Sequence, residues 1–266
     1  MSGRLPLLVF TDLDGTLLDH ETYDWSPARP ALDRLAGIGA GVILASSKTA
    51  AEIAPLRDEL GLSDWPAIVE NGCGLLEAGA PGDDDGDATE YQRLRTILHE
   101  LPTGFTGFGD MDAADIARLT GLPADAARRA GQRRFSEPGT WTGTEVGLAA
   151  FLDAARANGI HARRGGRFLT LSFGGTKADR MDEVITRYRP GMTVALGDAP
   201  NDVEMLQRAD RGIIVANPAS DPLPELDDEA DGRITRTTRP GPEGWAEAML
   251  ALQDKLNHHE DTGHDG

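Results

Sequence analysis

The chain has a single cysteine, Cys73, among 266 residues. That excludes an internal disulfide framework and any cysteine cluster for zinc, and it suits a reducing compartment. No basic segment followed by a long apolar core opens the sequence, and no run approaches the ~18 apolar residues needed to span a bilayer. A soluble, cytoplasmic protein is the expectation. Positive charge is also scarce: 26 basic against 44 acidic residues leave a net charge of −18. Nucleic acid and anionic membranes both reward a positive field, so neither is expected as a partner. Only three of the basic residues are lysines, Lys48, Lys177 and Lys255. A high-GC genome produces the same bias, but it does not explain where the three lie.

Apolar runs alternate with amphipathic stretches at both ends of the chain. Strand-like segments at 7–10, 42–45 and 67–69 are separated by helical ones at 27–35 and 49–60. After residue 176 the order is helix 177–188, strand 192–196, helix 202–208, strand 212–215 and helix 243–256. Short links between alternating elements predict an α/β fold with a doubly wound parallel sheet. Between the two ends the pattern breaks. The turn-rich "PGDDDGD" is followed by helical segments, a β-like stretch at 132–135, a helix at 144–157 and strands near 160–163 and 168–173. The division expected is a core of residues 1–83 and 176–257, an inserted α+β domain of residues 84–175, and a polar, mobile tail of residues 258–266. The tail's three histidines read as solvated rather than as metal ligands.

In an open α/β sheet, ligands bind beyond the carboxyl ends of the strands. The residues found there are Asp12, Asp14, Gly15 and Thr16 in "LLVFTDLDGTLLD"; Ser46, Ser47 and Lys48; Glu70, Asn71 and Gly72; and Asp198, Asn201 and Asp202 in "TVALGDAPNDVEML". Lys177 opens the helix before the last of these strands. Carboxylates crowded together raise each other's pKa steeply, and a hard divalent cation is the economical way to neutralise them. Magnesium fits, with ligands from the carboxylates of Asp12 and Asp198 and the carbonyl of Asp14. Asn201 and Asp202 would orient the ion and its waters.

Such a site would welcome a phosphate, and the roles follow from what phosphoryl transfer requires. Asp12 is the expected nucleophile, forming an aspartyl-phosphate. Asp14 would protonate the departing alkoxide and later take a proton from water. Lys177 would offset the charge on Asp12 and on the phosphoryl oxygens, with Ser46 and nearby amides hydrogen-bonding the latter. Each signal alone has a plainer explanation: Asp-x-Asp-Gly-Thr as a turn with a helix cap, Ser46 to Thr49 as an N-cap, Lys177 as a solvated side chain. Their joint order, each at a strand end or helix start, is what argues for chemistry.

These residues resemble the haloacid dehalogenase-like phosphohydrolase superfamily, whose four motifs match "DLDGT", "SS", Lys177 and "GDAPND". The resemblance implies a Rossmann-like core, magnesium, an aspartyl-phosphate and a mobile cap. Within the superfamily, "SSKT", "VENG", "GFGDM", "LTGLP", "QRRFSEP" and "GGRF" resemble the mannosyl-3-phosphoglycerate phosphatase family. That implies hydrolysis of a phosphorylated glycoside, mannosyl-3-phosphoglycerate or its glucosyl counterpart, to a compatible solute. A glycerate carboxylate favours an arginine fork, for which Arg133 and Arg167 are the candidates. Gln132, Ser136 and Glu137 would contact the sugar, with Ser47, Lys48 and Asn71 completing the substrate-binding set. Alternatives within the superfamily are another sugar-phosphate phosphatase, a phosphomannomutase, or a dehalogenase without magnesium. A phospho-aspartate receiver switch is the non-enzyme alternative; the second aspartate, Asp14, and the inserted domain argue against it.

Overall fold

A computed structural model describes residues 5–82, 88–165 and 167–262, the side chains only as far as residue 255. The acidic loop at 83–87, and with it the expected boundary at 83/84, lies outside the described residues, as does the end of the tail at 263–266. The chain divides into two compact units, residues 1–46 with 177–266, and residues 47–176.

The first unit begins with β1 (Leu7–Thr11), α1 (Arg29–Gly37) and β2 (Gly41–Leu44). The second unit follows: α2 (Ala50–Glu59), β3 (Ala67–Val69), β4 (Gly74–Leu76), α3 (Thr89–Glu100), β5 (Phe105–Gly107), α4 (Ala113–Thr120), α5 (Ala124–Ala130), β6 (Ser136–Trp141), α6 (Glu145–Ala157), β7 (His161–Gly165) and β8 (Phe168–Ser172). The chain then returns through α7 (Lys177–Tyr188), β9 (Met192–Gly197), α8 (Val203–Arg208), β10 (Arg211–Ala216), β11 (Ile234–Pro240) and α9 (Gly241–Thr262).

In the first unit the five strands form a parallel sheet in the order β11-β10-β9-β1-β2. All five residues of β1 are buried, as a strand in a parallel sheet with both faces covered must be. Its register with β9 pairs Leu7 with Met192 and Thr11 with Leu196, so Asp12 emerges beside Gly197, the last residue of β9. On the opposite side of β1, Thr11 pairs with Leu44 of β2, which carries Ser46 to the same edge. Helix α9 docks through Trp245, whose buried Nε1–H donates to Thr11 Oγ1 at 3.0 Å. Its backbone runs to Thr262, six residues beyond the helix read from the sequence.

In the second unit β3 and β4 form an antiparallel hairpin, and β5-β6-β8-β7 form a separate antiparallel sheet. Leu169 and Leu171 of β8, with Phe105 and Trp141, pack on Leu94, Leu98, Leu148 and Phe151 of α3 and α6. Helix α2 starts with a capping box: Thr49 accepts from the Glu52 amide while the Glu52 carboxylate accepts from Thr49 N–H. The β-like stretch expected at 132–135 is instead irregular chain with a bend at 134–135, and the strand starts at Ser136. The cause is Glu70, whose carboxylate accepts the amides of Arg134, Phe135 and Ser136 at 2.9, 3.2 and 2.8 Å. Those amides are therefore unavailable to a sheet ladder. The same bonds tie residue 70 to residues 134–136 within the second unit, which begins at Ser47.

Candidate functional site

The carboxyl edge of the parallel sheet gathers one cation and three carboxylates into a buried cluster. Asp12 follows β1, Asp198 follows β9, Asp202 stands in the turn before α8, and Lys177 is the first residue of α7. Lys177 Nζ donates to Asp12 Oδ1 at 2.5 Å and to Asp202 Oδ1 at 2.7 Å. Asp202 Oδ2 also accepts the amides of Asp198 and Ala199 at 3.2 and 3.1 Å. Asp198 is held from both sides, by Thr16 Oγ1 at 2.9 Å and Asn217 Nδ2 at 2.8 Å.

Charge is unbalanced here. Burial pushes the Asp12 carboxyl well above the usual carboxylate range; Lys177 pulls it back while Asp202 and Asp198 push it further up. Burial also raises Asp198, against the hydrogen bonds from Asn217 and Thr16. Burial opposes the charge on Lys177, but Asp12 and Asp202 outweigh it and hold the ammonium protonated. Three carboxylates facing one ammonium leave an excess of negative charge, which suits a divalent cation with a preference for oxygen. One oxygen from each of Asp12, Asp198 and Asp202 lies within 4.8 Å of the others, so the donor set fits such an ion. Asp202, expected outside the inner ligands, is close enough to join them, but both its oxygens already hold Lys177 and two amides.

Asp14 is half-buried in the loop after β1, where Leu18 N–H and Thr16 N–H both donate to Leu13 O and Gly15 N–H donates to Leu18 O. Ser46 is buried just beyond β2, whereas Asn201 is exposed. Glycine is required at position 15, where φ is +82° and a Cβ would lie 2.2 Å from Asn217 Nδ2. Thr16 was placed at this edge by the sequence but given no role there, and Asn217 was not among the site residues read from it. Thr16 stood in the first motif, but Asn217 carries no local signal beyond its place after a strand.

In the second unit, Arg133, Ser136 and Glu137, three of the residues expected to bind substrate, are hydrogen-bonded within the unit itself. Arg133 donates to Ser47 O at 3.2 Å and to Ser136 Oγ at 2.6 Å, and its Nε lies 3.3 Å from Glu70 Oε2. Only 7% of its side chain is exposed, so its fork belongs to the frame of the unit. Glu137 is likewise buried, accepting from Tyr91 Oη at 2.5 Å, Arg95 Nη1 at 3.0 Å and Gly109 N–H at 2.8 Å. Ser136 is buried; Gln132, Ser47 and Arg167 are exposed, and Lys48 and Asn71 are half-buried. Arg167 lies over the Phe168 ring, 5.6 Å from its centroid. We expect Arg133→Ala to lower the thermal midpoint and to reduce turnover of a glycerate-bearing phosphate and of a small aryl phosphate in equal proportion. A loss confined to the glycerate-bearing substrate in steady-state assays would return Arg133 to direct recognition.

Comparison with known proteins decides the family. A family model described as haloacid dehalogenase-like hydrolase matches residues 9–82 and 171–228, which together contain Asp12, Asp14, Ser46, Lys177, Asp198 and Asp202. The chain belongs to the haloacid dehalogenase-like hydrolases. The fold of this hydrolase agrees with solved structures. A phosphatase of the same superfamily from Bacteroides thetaiotaomicron is 17% identical, with 95% of this chain and 96% of that one covered at a TM-score of 0.63. A hypothetical protein from Geobacillus kaustophilus is 21% identical, with 94% and 99% covered at a TM-score of 0.64. The sucrose-phosphatase of Synechocystis, solved with sucrose and phosphate, is 15% identical, with 94% and 99% covered at a TM-score of 0.61. These likenesses extend over both units of the hydrolase, the one with the antiparallel sheet included. No described helix of the hydrolase is long and apolar enough to cross a membrane.

Proposed function

We propose that the protein is a magnesium-dependent phosphatase that hydrolyses mannosyl-3-phosphoglycerate, or the glucosyl analogue, through an aspartyl-phosphate on Asp12. The observation that carries the phosphatase reading is the buried cluster of Asp12, Lys177, Asp198 and Asp202 at the carboxyl edge of the sheet. The substrate reading is carried by the phrases of the second unit, from "VENG" to "GGRF".

Asp12 attacks phosphorus while the bond from phosphorus to the sugar-acid oxygen breaks, and Asp14 gives a proton to the leaving alkoxide. A water then attacks phosphorus and passes a proton to Asp14 as the bond from phosphorus to the Asp12 oxygen breaks. Inorganic phosphate leaves, and both carboxyl groups return to their starting states. Lys177 offsets charge on Asp12 and holds its carboxyl group in place, and Ser46 donates to a phosphoryl oxygen. Asp12, Asp198 and the Asp14 carbonyl would hold magnesium, with Asp202 and Asn201 around them; the ion supplies positive charge that offsets repulsion between the carboxylate and the phosphate.

Phosphate release from mannosyl-3-phosphoglycerate, glucosyl-3-phosphoglycerate and a panel of ordinary sugar phosphates, with magnesium or chelator, tests this reading. The expected result is a strong preference for the two glycosyl-phosphoglycerates that chelator abolishes. Broad hydrolysis would remove the substrate and keep the chemistry. Transfer of phosphate between positions on a sugar without release would mark a mutase.

A further inference from the structure

The acidic cluster is built from more of the chain than its four motifs. Asp198 accepts one hydrogen bond on each carboxylate oxygen, from Thr16 in the loop after β1 and from Asn217 in the loop after β10. The Asn217 amide is itself oriented. Its Oδ1 accepts Ala219 N–H at 3.0 Å, which closes a turn of the loop, and its Nδ2 also reaches Ser220 Oγ at 3.3 Å. With the carbonyl spent on the turn, the amino end is the one that faces Asp198. Room for it comes from Gly15, since a Cβ there would collide with both Nδ2 and Cγ of Asn217. Loops from three strands thus converge on a single carboxylate.

We propose that Asn217 is a positioning residue for the metal: it fixes the orientation of Asp198 before a divalent cation arrives. This rests on reading Asp12 and Asp198 as the magnesium ligands. Both oxygens of Asp198 keep lone pairs for an ion after accepting one bond each, so the two donors orient the group without consuming it. A carboxylate left to rotate would lose rotamer freedom on binding and would have to leave other partners first. Outer contacts of this kind are worth roughly 10–100-fold in metal affinity.

Calorimetric titration of the full chain with magnesium chloride alone separates the possibilities, using Asn217→Ala and Asn217→Ser. The serine keeps an oxygen for the Ala219 amide but is too short to reach Asp198. Both variants are expected to bind magnesium about 10–100-fold more weakly than the wild type, and activity at limiting magnesium should fall with them and recover as magnesium is raised. Affinity equal to wild type in both overturns the role of Asn217. Weakened binding in Asn217→Ala with wild-type binding in Asn217→Ser assigns the effect to the turn and overturns it as well. A wild type that binds no magnesium overturns the metal reading itself, a distinct result, because the variants are then not needed to see it.

Discussion

Asp12→Asn is expected to cost at least about three orders of magnitude in turnover while leaving the fold in place. Asparagine keeps the shape and the position beyond β1 but cannot form an acyl phosphate under these conditions. Stability is expected to hold or rise. Burial and the neighbouring Asp198 and Asp202 already disfavour charge on residue 12, and Lys177 retains Asp202 at 2.7 Å when its bond to Asp12 is weakened. Steady-state phosphate release and a thermal melt on the same preparation check both halves. Retention of more than a few per cent of the activity would remove Asp12 as nucleophile, and a collapsed melt would assign the loss to folding.

The second large effect is expected at Glu70. Its carboxylate is buried and accepts three consecutive amides and the Ser136 hydroxyl at 2.7 Å, with Arg133 alongside. Glu70 and Asn71 also hold φ values of +50° and +59°, a left-handed conformation that costs about 1–2 kcal/mol for an ordinary residue. That strain is tolerated because the turn aims the carboxylate at residues 134–136. Removing it leaves the buried Ser136 donors and the part-buried amides of Arg134 and Phe135 without their acceptor and Arg133 without its counter-charge, so Glu70→Ala is expected to destabilise the protein by about 3–5 kcal/mol. Glu70→Gln keeps the backbone conformation and one carbonyl oxygen, and should lose less. Urea unfolding together with amide exchange at 134–136 reads the effect. A change well under 1 kcal/mol for Glu70→Ala, with exchange unaltered, would show that the turn stands without it.

Much of the candidate site was legible because a parallel sheet brings the residue after every strand to one side. "LLVF" followed by Asp-x-Asp, and "TVALG" followed by Asp198, carry their own positions. Lys177 stood out because lysines are so few, and the structure places it against Asp12 and Asp202. What could not be read is the pairing of side chains far apart in sequence. The Thr16 to Asp198 contact spans 182 positions, and Asn217 looks like any loop asparagine until Gly15 is seen to make room for it. The same limit explains Arg133 and Glu137. Their residue types suit a carboxylate and a sugar, but Glu70, Tyr91 and Arg95 claim them from elsewhere in the unit. Strand β11 was missed because an edge strand reading Ile-Thr-Arg-Thr-Thr-Arg-Pro, largely exposed, carries little apolar signal. Strand β6 was misplaced by four residues because the Glu70 carboxylate, 66 positions before Ser136, takes the amides of the preceding stretch.

The central claim is a covalent phosphoryl group on Asp12. It is tested most directly by quenching the wild-type protein during turnover of mannosyl-3-phosphoglycerate with borohydride, which reduces an acyl phosphate to the alcohol, and sequencing the peptides by mass spectrometry. The account predicts homoserine at position 12, dependent on both substrate and magnesium and absent from Asp12→Asn. Phosphate release at full rate with an unmodified Asp12, or with the reduced residue elsewhere, would contradict it.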